Sequence, residues 1–230
     1  MAAKKERSRA VVAPAAAIER TLEAVLSDGV FLCLRFGPGV PIVEAARAAV
    51  RGGLRVLEMT LTTPGALDAM RILSRDPGVV IGGGTVLSPK LVRDVAGAGG
   101  RFVLSPVFDA EVVDEAERLG LLAVPGAATP KEILAAHRHG CRMVKVFPAG
   151  ALGGPAFLRA VRGPLPDVLL VPTNGPTSDT LAEYLAAGAV AVGIGGEVYP
   201  QDFRLATVEG AARRVRQTMD ACRGRERSVS

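Results

Sequence analysis

The feature that most constrains this chain is a repeated alternation of short apolar runs with amphipathic stretches. A helix-like segment at about Ala15 to Leu26 comes first, and eight apolar runs follow it. Hydrophobicity within the runs is continuous, which is typical of parallel strands buried on both faces. The runs lie at residues 30–36, 54–61, 79–84, 101–105, 121–125, 143–147, 168–172 and 190–194.

Helix signals fill the stretches between the runs. Ser88-Pro89 and Thr129-Pro130 each place an N-cap residue before a proline at the first helical position, and Thr129 with Glu132 has the pattern of a capping box. Glycines recur where these helices would end. Eight strand and helix units in 230 residues predict an α/β fold, a (β/α)₈ TIM barrel with an extra N-terminal helix.

An open doubly wound sheet is the alternative fold. It would carry a dinucleotide-binding fingerprint after its first strand, but the comparable glycine cluster at residues 82–84 follows the third run. The sequence G-G-G-T there lacks both the spacing of a Rossmann turn and the Gly-Lys-Ser/Thr of a P-loop. The barrel is therefore favoured.

The net charge of +5 is concentrated at the two termini, and the region between them is close to neutral. We therefore expect disordered basic tails at residues 1–12 and 222–230 around a single domain at residues 13–221, and no binding of nucleic acid. No apolar stretch approaches the roughly 20 residues of a membrane span. Three cysteines without metal-like spacing indicate a reduced, cytoplasmic protein.

Two charged residues lie inside the apolar runs. In a TIM barrel, catalytic groups sit at the carboxyl ends of the strands and in the loops after them. Strand alternation puts Lys145 on one face with Met143 and Phe147, and it puts Glu58 on one face with Val56. Both side chains can point into the barrel, where their opposite charges would meet.

An ion pair that only fixes packing is one interpretation of Lys145 and Glu58. The chain, however, contains five lysines among its 28 basic residues, and Lys145 alone lies in a central strand. Arginine is the better residue for a structural ion pair, but only an amine can lose its proton and attack a carbonyl to form a Schiff base. This pattern favours a catalytic amine, with Glu58 as general acid/base.

A metal-dependent mechanism is disfavoured by the pattern of histidines. The chain has only His137 and His139, which lie two residues apart near a predicted helix end and so face different ways. We expect no metal and no cofactor. The glycine-rich segment at 192–197 resembles a phosphate-binding loop, although Glu197 places a negative charge there.

Several motifs together resemble the 2-keto-3-deoxy-6-phosphogluconate (KDPG) / 4-hydroxy-2-oxoglutarate aldolase family, over about residues 15 to 220. The family comprises class I lyases of the (β/α)₈ fold that form a lysine Schiff base with pyruvate. The matching motifs are G-G-L-R-V-L-E-M-T-L-T-T-P, G-G-G-T-V-L-S-P, F-V-L-S-P, V-P-G-A-A-T-P-K-E, M-V-K-V-F-P-A and V-P-T-N-G, in that order.

The resemblance implies a role for each matching residue. Lys145 would be the Schiff-base lysine and Glu58 the general acid/base. Some members bind the substrate carboxylate with an arginine four residues after that glutamate, where this chain has Thr62, and Arg35 would make the contact instead. The other implied substrate-binding residues are Thr85, Pro106, Phe147, Thr173, Asn174, Gly175, Gly195 and Gly196.

The implied reaction is cleavage of a 2-keto-3-deoxy acid, of the 2-dehydro-3-deoxy-6-phosphogluconate or 4-hydroxy-2-oxoglutarate type, to pyruvate and an aldehyde. The resemblance also implies that the protein is a homotrimer and that its ligand is this small-molecule 2-keto acid. Two alternatives stay open. Asn174 and Glu197 depart from the family pattern, which would suit a different, non-phosphorylated acceptor in a specialised pathway; a phosphate-binding barrel without lyase activity is the other.

Overall fold

The computed structural model describes residues 13–200 and 204–227 and has an α/β fold. A helix precedes the first strand, as expected from the sequence. The helices are α1 (Pro14–Asp28), α2 (Ile42–Arg51), α3 (Ala66–Leu73), α4 (Pro89–Gly97), α5 (Ala110–Arg118), α6 (Pro130–Arg138), α7 (Gly154–Arg162), α8 (Leu181–Ala186) and α9 (Leu205–Arg227).

The strands coincide with the eight apolar runs, because each run is buried and flanked by turn residues. The fifth run forms β5, and a further short strand, β6, follows Pro125 just beyond the run. The strands are β1 (Val30–Leu34), β2 (Val56–Thr60), β3 (Val80–Gly84), β4 (Phe102–Leu104), β5 (Leu122–Val124), β6 (Gly126–Ala127), β7 (Val144–Val146), β8 (Leu170–Pro172) and β9 (Val192–Ile194).

All strand pairs are parallel, and together they form a curled sheet. One sheet has the order β5-β4-β3-β2-β1-β9 and the other has the order β6-β7-β8. The isolated parallel bridges Leu170–Ala189 and Thr173–Gly193 link the β8 segment to the β9 segment. The carboxyl ends of the strands therefore meet at one end of the molecule.

Apolar side chains pack in two layers on either side of the strands. One cluster lies between the strands and the helices, as in the contacts of β1 and β2 with α2 and α3. The other contains the alternate strand residues, including Phe31, Phe102 and Met143, together with Leu22 and Val25 of α1. Helix α1 thus packs against the inner residues of the strands.

Local capping explains where two of the helices begin. The Ser88 side chain accepts a hydrogen bond from the Leu91 N–H at the start of α4. At the start of α6, Thr129 and Glu132 form the reciprocal capping box that the sequence predicts. These caps satisfy N–H groups that have no partner within a helix.

Helix α9 continues to Arg227, past the domain boundary predicted at residue 221. Arg223 donates hydrogen bonds to the carbonyl oxygens of Ser27 and Leu26 at the end of α1. Residues 222–227 therefore belong to α9, and not to the terminal tail predicted from their charge. The tail predicted at residues 1–12 lies outside the described residues. Within the described residues, no helix is both long and apolar enough to span a membrane.

Candidate active site

Inward-facing side chains change from apolar to polar along the strands. Met143, just before β7, packs in the inner apolar cluster, and Lys145 lies two residues further along, within β7. The same step leads from Val56 to Glu58 in β2. Because side chains alternate along a strand, the polar residues lie above the apolar floor on the same face. The strand ends therefore place polar groups above a closed core.

A cavity of about 440 Å³ opens at this end of the molecule. It is lined by Cys33, Arg35, Glu58, Lys145, Phe147, Thr173, Asn174, Gly175, Pro176, Thr177, Gly193, Ile194, Gly195, Gly196 and Glu197. A larger cavity, of about 900 Å³, lies at the amino ends of β3, β4 and β5. In folds with parallel strands, ligands bind and chemistry takes place at the carboxyl ends of the strands, so the smaller cavity is the candidate site.

Lys145 and Glu58 meet deep in the cavity. The Nζ atom of Lys145 is 4.0 Å from Oε1 of Glu58, and the two residues are 6% and 2% exposed. The ring of Phe147 covers the amine, with its centroid 5.1 Å from Nζ. A buried pair of opposite charges is thus held beside open space large enough for a small molecule.

The carboxyl group of Glu58 is short of hydrogen-bond partners. Burial raises its pKa, and the nearby positive charges of Lys145 and then Arg35 oppose this shift. Its Oε2 atom has no hydrogen-bond partner. A carboxyl group with a free oxygen and a raised pKa is suited to take up and release a proton during a reaction.

Gly84 leaves room for this carboxyl group. A Cβ atom at Gly84 would lie 2.2 Å from Oε1 of Glu58. The neighbouring glycines have the same kind of role, since a Cβ at Gly82 would overlap Phe102 and one at Gly83 would overlap Val95. The triple glycine of β3 is thus explained by close packing.

Arg35 extends from the end of β1 over the ends of β2 and β3. Its guanidinium donates to Oγ1 of Thr62 at 3.2 Å and contacts Oγ1 of Thr85 at 3.5 Å. Cys33 lies below it, opposite Glu58 in the strand register. Burial, and then the charge of Glu58, raise the pKa of the Cys33 thiol to about 12, so this cysteine is a neutral thiol at physiological pH.

The segment after β8 forms another wall. The Oγ1 atom of Thr173 is buried and has no hydrogen-bond partner. Asn174 follows it with a positive φ of 60°, and Thr85 at the end of β3 has a φ of 61°. Such conformations are unfavourable for residues other than glycine and occur often at functional sites.

The loop after β9 borders the mouth of the cavity. Glu197 in this loop accepts a hydrogen bond from the backbone N–H of Ser178, at 2.7 Å, and another from the Ser178 hydroxyl. The carboxylate therefore joins the loop after β9 to the loop after β8. Its side chain lines the cavity beside Gly195 and Gly196.

Most of the residues predicted from the sequence line this one cavity, and two do not. Thr85 does not line the cavity, but its hydroxyl contacts the guanidinium of Arg35, which does. Pro106 is also outside, and its carbonyl group packs on Gly126. The roles predicted for these residues stay predictions.

The sequence prediction missed lining residues of two kinds. Cys33 lies two residues before Arg35 and therefore on the same face of the strand, so strand alternation could have predicted that it lines the cavity. Pro176 and Thr177 lie in a loop whose path periodicity does not encode. Among the described residues, no group of three or more His, Cys, Asp or Glu side chains could hold a metal ion; His139 instead bonds to Asp114.

Comparison with known proteins identifies the family. The profile for KDPG and KHG aldolases matches residues 34–209, which include the cavity-lining residues from Arg35 onward. The chain belongs to the KDPG and KHG aldolase family. It is therefore an aldolase, a carbon–carbon lyase.

Named relatives agree with this membership. A 2-dehydro-3-deoxy-phosphogluconate aldolase of Pseudomonas aeruginosa is 43% identical over 63% of this chain and 66% of its own length. One from Pseudoalteromonas atlantica is 34% identical over 72% of this chain and 82% of its own length. The KHG/KDPG aldolase of Escherichia coli is 35% identical over 74% of this chain and 84% of its own length.

Solved structures of the family have the same architecture. The KDPG aldolase of Zymomonas mobilis with 3-phosphoglycerate superposes with a TM-score of 0.79 at 30% identity, over 86% of this chain and 95% of that one. A second structure is the KDPG aldolase of Legionella pneumophila with pyruvate captured as a covalent carbinolamine intermediate. It superposes with a TM-score of 0.74 at 29% identity, over 88% of this chain and 97% of that one.

Proposed function

We propose that this aldolase cleaves a 2-keto-3-deoxy acid to pyruvate and an aldehyde, with Lys145 as the Schiff-base amine. The observation that carries the proposal is the buried Lys145–Glu58 pair on the floor of an open cavity at the strand ends. The names of the relatives support a substrate of the 2-dehydro-3-deoxy-phosphogluconate or 4-hydroxy-2-oxoglutarate type.

The first half of the reaction forms the covalent intermediate. Lys145 first passes a proton to Glu58, and the neutral amine then attacks the C2 carbonyl carbon of the acid and gives a carbinolamine. Glu58 donates a proton to the departing hydroxyl, water leaves, and a protonated imine remains. The unpartnered Oε2 of Glu58 is available for this transfer.

The second half breaks the carbon–carbon bond. Glu58, now ionised, takes the proton of the C4 hydroxyl while the electrons of the C3–C4 bond move into the imine. The aldehyde leaves, and an enamine of pyruvate stays on Lys145. Protonation at C3 and hydrolysis of the imine then release pyruvate and restore the amine.

Groups around the pair have the chemistry to bind the keto acid. The guanidinium of Arg35 would bind the C1 carboxylate, and the free Oγ1 of Thr173 would donate to it. The ring of Phe147 would cover the imine. Thr85 positions Arg35, while Asn174, Gly175, Gly195 and Gly196 would surround the aldehyde end. For Pro106 we propose only a supporting role, through its packing on Gly126.

Pyruvate release from candidate acids tests the proposal. Purified protein is mixed with 2-keto-3-deoxy acids, and pyruvate is followed through lactate dehydrogenase. We expect turnover by the wild type and none by Lys145→Arg, which keeps a cation beside Glu58 but cannot form an imine. Undiminished turnover by Lys145→Arg, or turnover of no acid by folded wild type, would refute it. The latter result, with pyruvate still bound, would favour a binding protein.

We also infer that the curled sheet is a closed (β/α)₈ barrel in a single domain. The bridges between the β8 and β9 segments and the pairing of β9 with β1 support closure, as does the continuous path of β5 and β6. Amide protection of residues 189–194 in hydrogen exchange would test this.

The homotrimer implied by the family resemblance remains a proposal. Leu87 and Val107 support an interface, because they are 52% and 53% exposed on the loops after β3 and β4. Light scattering of purified protein would test the trimer. We propose a cytoplasmic location, which the three free cysteines support.

A further inference from the structure

The acceptor end of the cavity contains a carboxylate at the position where a charged end group would have to lie. Glu197 lines the mouth together with Gly195, Gly196 and Thr177, whereas Lys145 lies at the floor. A keto acid bound through C2 to Lys145 and through its carboxylate to Arg35 must extend its aldehyde portion toward the remaining opening. That opening is bounded by the loops after β8 and β9.

This carboxylate is held in place. It accepts two hydrogen bonds from Ser178, one from the backbone N–H at 2.7 Å and one from the hydroxyl. The N–H of Ser178 would otherwise be free to bind an anion. A fixed negative charge has thus taken a donor that a phosphate group could use.

No cation neutralises Glu197 within the described residues. None of their ion pairs includes it. Of the two cations that line the cavity, Lys145 pairs with Glu58 and Arg35 is directed toward Thr62 and Thr85, on the side of β2 and β3. A phosphate at the mouth would therefore meet a like charge without compensation.

The neighbouring wall is also unlike a phosphate-binding loop. Asn174 projects a polar side chain from a backbone position with a positive φ of 60°. Its side chain is exposed at the cavity and can both donate and accept hydrogen bonds. Asn174 and Glu197 together offer partners for hydroxyl groups, which donate well to a carboxylate.

We propose that Glu197 selects an uncharged, hydroxylated aldehyde as the acceptor, so that the preferred substrate is a non-phosphorylated 2-keto-3-deoxy sugar acid. This inference rests on the proposed function, because it concerns the far end of the acid cleaved at Lys145. Hydroxyl groups of the sugar acid donate to Glu197 and bond to Asn174. A terminal phosphate is rejected by charge.

The test compares kcat/KM for 2-keto-3-deoxygluconate and for its 6-phosphate by release of pyruvate. We expect the wild type to prefer the unphosphorylated acid by about tenfold or more, since like charges in a partly buried site repel strongly. The preference should shrink as salt is raised, because salt screens the repulsion. Purely steric exclusion would not respond to salt in this way.

Two variants separate charge from loop structure. Glu197→Gln removes the charge but keeps the length of the side chain, and it should shift the preference toward the phosphorylated acid by about tenfold. Ser178→Ala loosens the same contact but leaves the charge, and it should keep the wild-type preference. An equal shift in both variants would assign the selectivity to loop structure and overturn the inference.

Trapping separates failure of the inference from failure of the proposed function. Each protein is treated with pyruvate and borohydride, and the adduct on Lys145 is measured by mass spectrometry, which also shows that each variant is folded. Labelling of the wild type together with a higher kcat/KM for the phosphorylated acid overturns only the inference. If Glu197→Gln shows no adduct on Lys145, the variant is not informative, and the inference is then tested by the substrate preference of the wild type and its dependence on salt. Absence of both labelling and turnover overturns both proposals.

Discussion

At the scale of single residues, the site depends on one buried cation and its partner. An ammonium in a strand interior is unfavourable unless it is paired. Glu58 provides that pairing for Lys145, and Phe147 shields the pair. The position of Lys145 could be predicted because strand parity and the scarcity of lysine are both visible in the sequence.

The raised pKa of Glu58 predicts the pH dependence of cleavage. Below this pKa the carboxyl group is already protonated and cannot take the proton that Lys145 must lose before it attacks the substrate; above this pKa the group is ionised and can take it. We expect kcat/KM to rise with pH through a midpoint above the ordinary glutamate value of about 4.3. Rate measurements from pH 4 to 9 test this. A midpoint at or below the ordinary value would contradict the assignment.

Arg35 provides a second prediction at this scale. Arg35→Gln should lower kcat/KM by about 10- to 100-fold, since a charged hydrogen bond to the substrate carboxylate is lost. The guanidinium of Arg35 lies beside Thr62, where some family members carry their arginine. We therefore expect Thr62→Arg to restore part of the activity to Arg35→Gln. No loss in the single variant, or no recovery in the double variant, would rule out the contact.

Residues in loops were the harder ones to predict. Cys33 lies in β1 on the same face as Arg35, so its position at the cavity could be predicted from strand alternation. The contact of Glu197 with Ser178 joins two loops that are 19 residues apart, and it depends on how both loops turn after their strands. Hydrophobic periodicity does not describe such turns. Thr85 and Pro106 lie at strand ends as predicted, but neither lines the cavity.

At the scale of elements, the strands could be predicted from continuous apolar runs and the helix starts from their caps. The short strand β6 was not predicted, because it lies beyond the end of the fifth apolar run, after Pro125, which lacks an N–H donor. The glycines of β3 were recognised as unlike a nucleotide loop. Their actual role depends on contacts with Glu58, Phe102 and Val95, which are distant in sequence.

The packing of β3 against β2 predicts the effect of a methyl group at Gly84. Gly84→Ala would push the Glu58 carboxyl group from its position and lower kcat by about 100-fold, the usual contribution of a positioned acid/base. Gly97→Ala is the matched control, because a Cβ there has nothing within 4 Å. Steady-state rates of the two variants test the packing, and equal rates would show that Gly84 does not position Glu58.

The capping box of α6 predicts a change in stability without a change in activity. Thr129→Ala should lower the free energy of unfolding by about 1 kcal/mol, because the N–H of Glu132 loses its partner. Lys131→Ala, in the same helix turn and exposed, should change it by less than about 0.5 kcal/mol. Urea unfolding measures both. Equal effects of the two substitutions would mean that the cap does not stabilise α6.

At the scale of the whole molecule, the sequence predicted a parallel α/β fold with its chemistry at one end. The end of α9 was not predicted, because the basic composition of residues 222–227 resembles that of a solvated tail. Arg223 instead donates to the carbonyl groups at the end of α1. A contact between the two ends of the described chain cannot be recognised from local composition.

The central claim is that Lys145 forms a covalent imine with pyruvate, and it has a direct measurement. Intact protein is incubated with pyruvate, reduced with borohydride, digested and analysed by mass spectrometry. We predict one reduced pyruvyl adduct on the peptide that contains Lys145, and none on Lys145→Arg treated in the same way. An adduct confined to another lysine, or no adduct on folded wild-type protein, would contradict the account.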